Sequence, residues 1–403
     1  MRAGSNEAVG GKAHPWISVR SLTIPVTVPV VYVYASPVQD ETDRKRKCGR
    51  LSKYLDRNAL DELWFATDGN VGWLLGGDPL IVRSSPVGAA AVKFDGETIS
   101  VVTDTIEAER LKAEELPAGI AVEAVDWYEG GVEGMIETRA SDAAGADIPV
   151  PGLATVEPRK FRLPATDRDI ERLRRLGRDT AEALEATSRE IGPTDTEREI
   201  AADLGYRLAA RGIDAPLRLV GGEERAPAYR HFTPTDRTIG GYAVISVCAR
   251  RCGLWVSATR TVAHDPPDWL ADRHRAVCRV DATAISNTRE WLDGGTAGDV
   301  FEAIIQAYDA VGHPEEWKRH HQGGATGYAP REWVATPGDH TRIRGPLGVA
   351  WNPTIQGAKS EDSVLVTEQE IEVVTATGEW PTNEVEPVTG GESIVRHDVL
   401  RLD

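Results

Sequence analysis

A small set of side chains in this chain has the types and spacing for proton transfer and anion binding. His231 lies in the run Tyr229-Arg230-His231-Phe232, and the adjacent His320 and His321 precede Gly323-Gly324-Ala325-Thr326-Gly327. An imidazole with an unperturbed pKa of about 6.5 both takes and gives a proton near neutral pH. Glu361 follows Lys359 by one intervening residue, and Arg331 stands beside Glu332. A guanidinium grips a carboxylate through parallel N–H donors and an ammonium adds a second charge, so Arg331 and Lys359 are candidates for holding an anionic ligand. The same cations can instead pair with Glu361 or Glu332. A buried Glu361 needs a cationic partner such as His231, Arg331 or Lys359, or burial raises its pKa; a His231–Glu361 pair would be a proton shuttle. On a strand, His320 and His321 point to opposite faces, so only one of them can enter a shared pocket.

The order of these motifs resembles peptidase family M24, the aminopeptidase P, creatinase and Xaa-Pro dipeptidase superfamily with the pita-bread fold. In that family a strand ending in Asp is followed by a second Asp just before a Thr-Arg-Thr-like run. Here the two positions are Ser246 and Ser257, with Thr259-Arg260-Thr261 following. His231 matches the family's substrate-side histidine loop. Aligned on Gly327 and Glu332, the family's metal-binding histidine falls on Gly324, its second substrate-side histidine on Arg331 and its leading histidine on His320. Ala350-Trp351-Asn352-Pro353 and Gly357 to Asp362 resemble the two closing strands, where Asn352 stands at the first bridging glutamate and Glu361 keeps the second.

The resemblance implies two divalent ions, yet four of its five ligand positions are occupied by Ser246, Ser257, Gly324 and Asn352. One carboxylate with neutral hydroxyls and an amide lacks the anionic oxygens and imidazoles that neutralise and coordinate such ions. The expectation is therefore no metal cofactor, with two Mn or Co ions as the alternative that a different alignment would bring. Three functions remain open. The first is a metal-independent hydrolase or lyase of creatinase type on a small C–N or amide compound, with His231, His320 and Glu361 catalytic and Arg331, Lys359, Asn352 and His321 binding substrate. The second is a non-catalytic pita-bread protein that binds a peptide or protein, and the third a conventional metal-dependent Xaa-Pro aminopeptidase. The implied partners are a small molecule or short peptide and a second copy of the chain in a homodimer.

The elements that must position these residues are legible in outline. The expected fold class is α/β (α+β), with a creatinase-like amino-terminal domain over 41–155 and a pita-bread domain over 160–403. The first contains an amphipathic helix from Arg44, a strand Glu62 to Ala66, a turn at Asp68-Gly69, strands Gly88 to Phe94 and Thr98 to Thr103 joined by Asp95-Gly96, and a helix Ile106 to Leu116. Asn70-Val71-Gly72-Trp73-Leu74 resembles a signature of the superfamily's amino-terminal domain. The Ala-, Pro- and Gly-rich stretch 138–165 is expected to carry the boundary. Beyond it come a helix capped by Thr166 or Asp167, a helix beginning at Thr194, a strand pair around Val244 and Leu254, and helices Asp268 to Ala284 and Ala297 to Val311. Trp255, Trp333 and Trp351 flank the motifs and either line an apolar pocket or belong to the core.

Composition limits the partners. The 403 residues allow two domains, and no apolar run of the length a bilayer requires occurs. The formal net charge of −17, with nine lysines among 46 basic residues, opposes a nucleic-acid role resting on a basic surface. Acidic excess with scarce lysine is expected of a halophilic protein. Cys48, Cys248, Cys252 and Cys278 form no CxxC pair or zinc spacing and are expected to be reduced thiols in the cytoplasm, with Cys248 and Cys252 on one face of a strand. Residues 1–40 are expected to be an artefactual or disordered extension rather than a signal peptide, because Pro25 and Pro29 interrupt the apolar run Leu22 to Ala35.

Overall fold

The computed structural model describes residues 41–402, so the expectation for residues 1–40 lies outside the described residues. Residues 41–155 build a mixed six-stranded sheet in the order Ala121–Val125, Ile99–Asp104, Val87–Phe94, Glu62–Thr67, Ala144–Ala146, Ala154–Thr155. The helix Glu41–Asn58 buries Leu51, Tyr54 and Leu55. Its Lys47 is held by Asp43 at 2.9 Å and by Asp169 at 2.7 Å.

Residues 159–401 supply the elements that carry the chemistry. A central hairpin, Tyr242–Arg251 and Leu254–Ala263, forms a four-stranded sheet with Asp214–Gly222 and the short Leu400–Arg401. Beside it an antiparallel five-stranded sheet runs in the order Trp333–Val334, Gly323–Thr326, Leu347–Trp351, Asp362–Val366, Ile371–Val373. The hairpin is covered by the helices Asp167–Glu190 and Glu197–Ala209, and the five-stranded sheet by Leu270–Glu290 and Ala297–Ala310.

The long helix Asp167–Glu190 shows why the sequence folds this way. Thr166 accepts from the Asp169 amide while the Asp169 carboxylate accepts from the Thr166 amide, which satisfies two donors that the helix start leaves free. Ile170, Leu173, Leu176, Thr180 and Leu184 follow at helical spacing and are buried. Burying each leucine contributes about 1.5–3 kcal/mol before entropy is charged against it.

Four local expectations are corrected. Asp68-Gly69 is not a turn but opens the helix Asp68–Leu75. Its glycines serve close packing: a Cβ at Gly69 would stand 2.1 Å from the Tyr328 carbonyl oxygen, and one at Gly72 would stand 2.0 Å from that of Cys252. The second helix begins at Glu197 and is capped by Thr196 with Glu199, not by Thr194, because the fully buried Glu197 is engaged with Arg225, Thr235 and the Gly222 amide. The segment after Ile106 divides into Ala108–Arg110 and a π-helical turn, Leu111–Glu115. Cys252 is not on the strand with Cys248 but in the hairpin turn, with φ +47. All four cysteines are free.

Candidate functional site

The central hairpin's register gathers the polar side chains. Ser246 lies opposite Thr259 and Cys248 opposite Ser257, so with period-two alternation all four share one face. The adjoining strand meets this face directly: the Thr259 amide donates to the Glu361 carbonyl at 2.8 Å, and the Ser257 amide to Ser363 Oγ at 2.8 Å. Glu361 is thus delivered onto the polar face and is itself buried.

The Glu361 carboxylate is fully answered by cations and a hydroxyl. Lys359 Nζ lies 2.7 Å from Oε2 and Arg331 Nη2 3.2 Å from Oε1. Thr259 Oγ1 donates to Oε2 at 3.1 Å, so the 2.7 Å contact between Ser246 Oγ and Thr259 Oγ1 is donated by the serine. Burial alone would raise the Glu361 pKa, but Lys359 and then Arg331 overcome it and hold the carboxyl below its ordinary value. Arg331 Nη1 also donates to Ser257 Oγ at 3.4 Å, and Ser257 Oγ donates to Cys248 Sγ at 3.2 Å. Burial pushes the Cys248 thiol up, away from thiolate chemistry. Glu332, the other candidate partner of Arg331, is taken by Arg162 at 2.6 Å.

The histidines form a second cluster. His231 Nε2 and His320 Nε2 are 3.1 Å apart, and the His320 and His321 rings stack with centroids 4.4 Å apart. The expectation that His320 and His321 point to opposite faces is overturned. The strand begins only at Gly323, and His320 closes the single 3₁₀ turn Glu316–Arg319, so strand alternation does not apply to the pair. Both rings face His231, with centroids at 5.0 Å for His320 and 6.3 Å for His321. Burial, followed by the Lys359 charge, lowers the His231 pKa and pushes His320 down to about 3; burial, followed by Arg331, pushes His321 down to about 4. All three are neutral near pH 7. Among the described residues no hydrogen bond joins His231 to Glu361; the glutamate's partners are Lys359, Arg331 and Thr259.

The remaining site residues are placed as follows. Asn352 is buried, its backbone amide donating to the Gln322 carbonyl at 3.0 Å, and its Oδ1 has no partner among the described residues. His320 Nδ1 and Arg331 Nε are likewise buried and without a partner among the described residues. Gly324 pairs with Ala350 in the five-stranded sheet, and a Cβ there would stand 2.2 Å from the Trp333 carbonyl oxygen. Trp333 and Trp351 belong to the core, 6.1 Å apart, whereas Trp255 is half-buried beneath the Arg250 guanidinium.

A buried ionic network behind Glu361 carried little sequence signal. Arg260 pairs with Glu185 at 2.9 Å and Asp362 at 3.0 Å, and Arg396 pairs with Asp281 at 2.5 Å and Asp362 at 2.8 Å. His397 Nδ1 lies 2.8 Å from Asp362. Glu361 and Asp362 are adjacent, so alternation alone could have told that one faces the polar cluster and the other the opposite side.

Comparison with known proteins identifies the architecture. The prolidase from Pyrococcus horikoshii OT3 superposes with a TM-score of 0.65 at 20% identity, over 82% of this chain and 98% of that one. The amino-terminal domain of the FACT complex subunit SPT16 from Cicer arietinum superposes with a TM-score of 0.60 at 13% identity, over 84% of this chain and 97% of that one. These likenesses show the pita-bread fold with its amino-terminal domain. In sequence, a Xaa-Pro dipeptidase of Pyrococcus furiosus is 23% identical over 354 residues, 83% of this chain and 98% of the relative. Residues 171–368 match the model of metallopeptidase family M24, and over them the chain is similar to that family.

Proposed function

We propose that this chain is an M24-type hydrolase or lyase that acts on a small, carboxylate-bearing C–N or amide compound without the family's two-metal centre. The observation that carries the reading is the position of Lys359 and Arg331, which give the one retained ligand-type carboxylate its positive charge from the protein itself. The remaining donor set does not fit a pair of divalent ions. Ser246, Ser257 and Asn352 offer neutral oxygens, and Gly324 has no room for a ligand side chain on this backbone. Two cationic side chains beside Glu361 would further repel a dication.

In this reading His231 takes a proton from the attacking water and returns it to the leaving nitrogen, a role for which its lowered pKa keeps the imidazole neutral at the start. His320, 3.1 Å away, fixes the ring's orientation and tautomer. Arg331, with an unpartnered Nε, and Asn352, with an unpartnered Oδ1, are the groups that substrate would satisfy, the guanidinium holding its carboxylate. Glu361 keeps both cations in place.

The test is turnover of a panel of dipeptides and small amide or guanidino acids, with a chelator and with added manganese or cobalt. The expected result is activity insensitive to chelator and lowered by about 10²–10⁴-fold in His231→Ala, without loss of thermal stability because His231 is exposed. Manganese-dependent cleavage of Xaa-Pro dipeptides with two equivalents of metal per chain would restore the conventional peptidase reading. A metal-free chain with no turnover would favour a binding protein instead.

A further inference from the structure

We infer that His231, His320 and His321 form a binding site for a single divalent transition-metal ion, separate from the five positions of the family's paired-metal centre. One ligand nitrogen from each of the three rings lies within 4.8 Å of the other two, and among the described residues this is the one such grouping of three or more histidine, cysteine or carboxylate ligands. Each histidine comes from the polypeptide independently of Ser246, Ser257, Gly324, Asn352 and Glu361.

The geometry between the first two rings is near that of a bound ion. His231 Nε2 and His320 Nε2 are 3.1 Å apart, a spacing at which two neutral imidazoles share one proton. Zinc–nitrogen bonds of about 2.0–2.1 Å in a tetrahedral site place two ligand nitrogens about 3.3 Å apart, so an ion replaces the shared proton with a small adjustment. His321 must close from up to 4.8 Å, and it is exposed and free to turn about its side-chain torsions. The segment bearing His231 is braced against the turn preceding His320 by an ion pair between Arg230 and Glu316, which preorganises two of the three ligands. His320 Nδ1 is buried with no partner among the described residues, which leave this ring's second nitrogen unengaged.

Three imidazoles and one open position define the ligand chemistry. Nitrogen donors without carboxylates select zinc, cobalt, nickel or copper over magnesium or calcium, and the exposed fourth position is left for water. The positive charges of Lys359 and Arg331, only partly offset by Glu361, work against the ion. Affinity is therefore expected in the micromolar range, weaker than in closed structural zinc sites. Loading engages the His231 lone pair, so it excludes the proton transfer proposed above and would inhibit it. The inference does not rest on that reading, because it is read by binding.

The experiment is titration of the chelator-stripped full chain with zinc by calorimetry and with cobalt by visible absorption. One equivalent is expected, with cobalt bands of a four-coordinate ion. His231→Ala, His320→Ala and His321→Ala should each weaken binding by at least tenfold, whereas Glu361→Gln should keep one equivalent. Zinc should also protect the wild-type histidines from acylation by diethyl pyrocarbonate, a readout that needs no variant. Absence of binding, binding unchanged in the histidine variants, or two equivalents lost in Glu361→Gln would overturn the proposal.

Discussion

At the scale of single residues, the informative fact is that Glu361 is neutralised by covalent parts of the chain. Its side chain is 2% exposed and that of Lys359 5%, so their 2.7 Å contact is formed where water screens little. Replacing Lys359 with Met leaves a buried carboxylate supported only by Arg331 and Thr259, and the expected loss is about 3 kcal/mol at neutral pH. The sign with pH follows from the lowered pKa. The stabilisation from ionised Glu361 is present above the unfolded carboxyl pKa of about 4.3 and is lost as pH falls through the folded value. The gap between wild type and Lys359→Met should therefore shrink on acidification. Denaturant melts of both proteins at pH 7 and in steps down to about pH 2.5 check this, and a gap that is unchanged or grows across that range would refute the assigned pairing.

At the scale of elements, the backbone around Gly324 decides what side chains the site can carry. A Cβ there meets the Trp333 carbonyl oxygen at 2.2 Å, which is a backbone atom and cannot swing aside. Gly324→His is thus expected to open the pairing between Gly323–Thr326 and Trp333–Val334, lower the melting temperature and fail to recruit manganese. A stable Gly324→His chain with bound manganese would mean that the strand relaxes easily and that the donor set lacks only this one group. The sequence made the long helix of this region legible because Thr166 and the apolar spacing behind it are local signals. It misplaced Cys252, and it set His320 and His321 on a strand, because both assignments extended strand periodicity past the point where a turn takes over. Motif spacing carried the expectation for the ligand positions, whereas the partners of Arg331 and Glu332 could not be read from the sequence. Their choice between Glu361 and Arg162 is made by packing between segments far apart in the chain.

At the scale of the whole molecule, two kinds of electrostatics must be kept apart. Asp362, Arg260, Arg396, Asp281 and Glu185 form a buried network joining the central hairpin to the carboxy-terminal strand Ile394–His397 and to the helices Asp167–Glu190 and Leu270–Glu290. Salt reaches such pairs poorly. The surface carries the opposite case: a formal net charge of −17 repels itself over distances that ions do screen. The screening length falls from about 10 Å at 0.1 M salt to about 3 Å at 1 M, which removes most of that repulsion. The same salt weakens exposed pairs such as Arg198–Asp236 and Arg275–Asp272, but each of these is worth at most about 1 kcal/mol and often nothing. Relief of the net charge should therefore win, and the melting temperature is expected to rise as sodium chloride is increased from about 0.1 M to about 1 M. Scanning calorimetry across that range decides the matter. A flat or falling melting temperature would mean that the acidic excess is already balanced locally and that the composition is no sign of adaptation to salt.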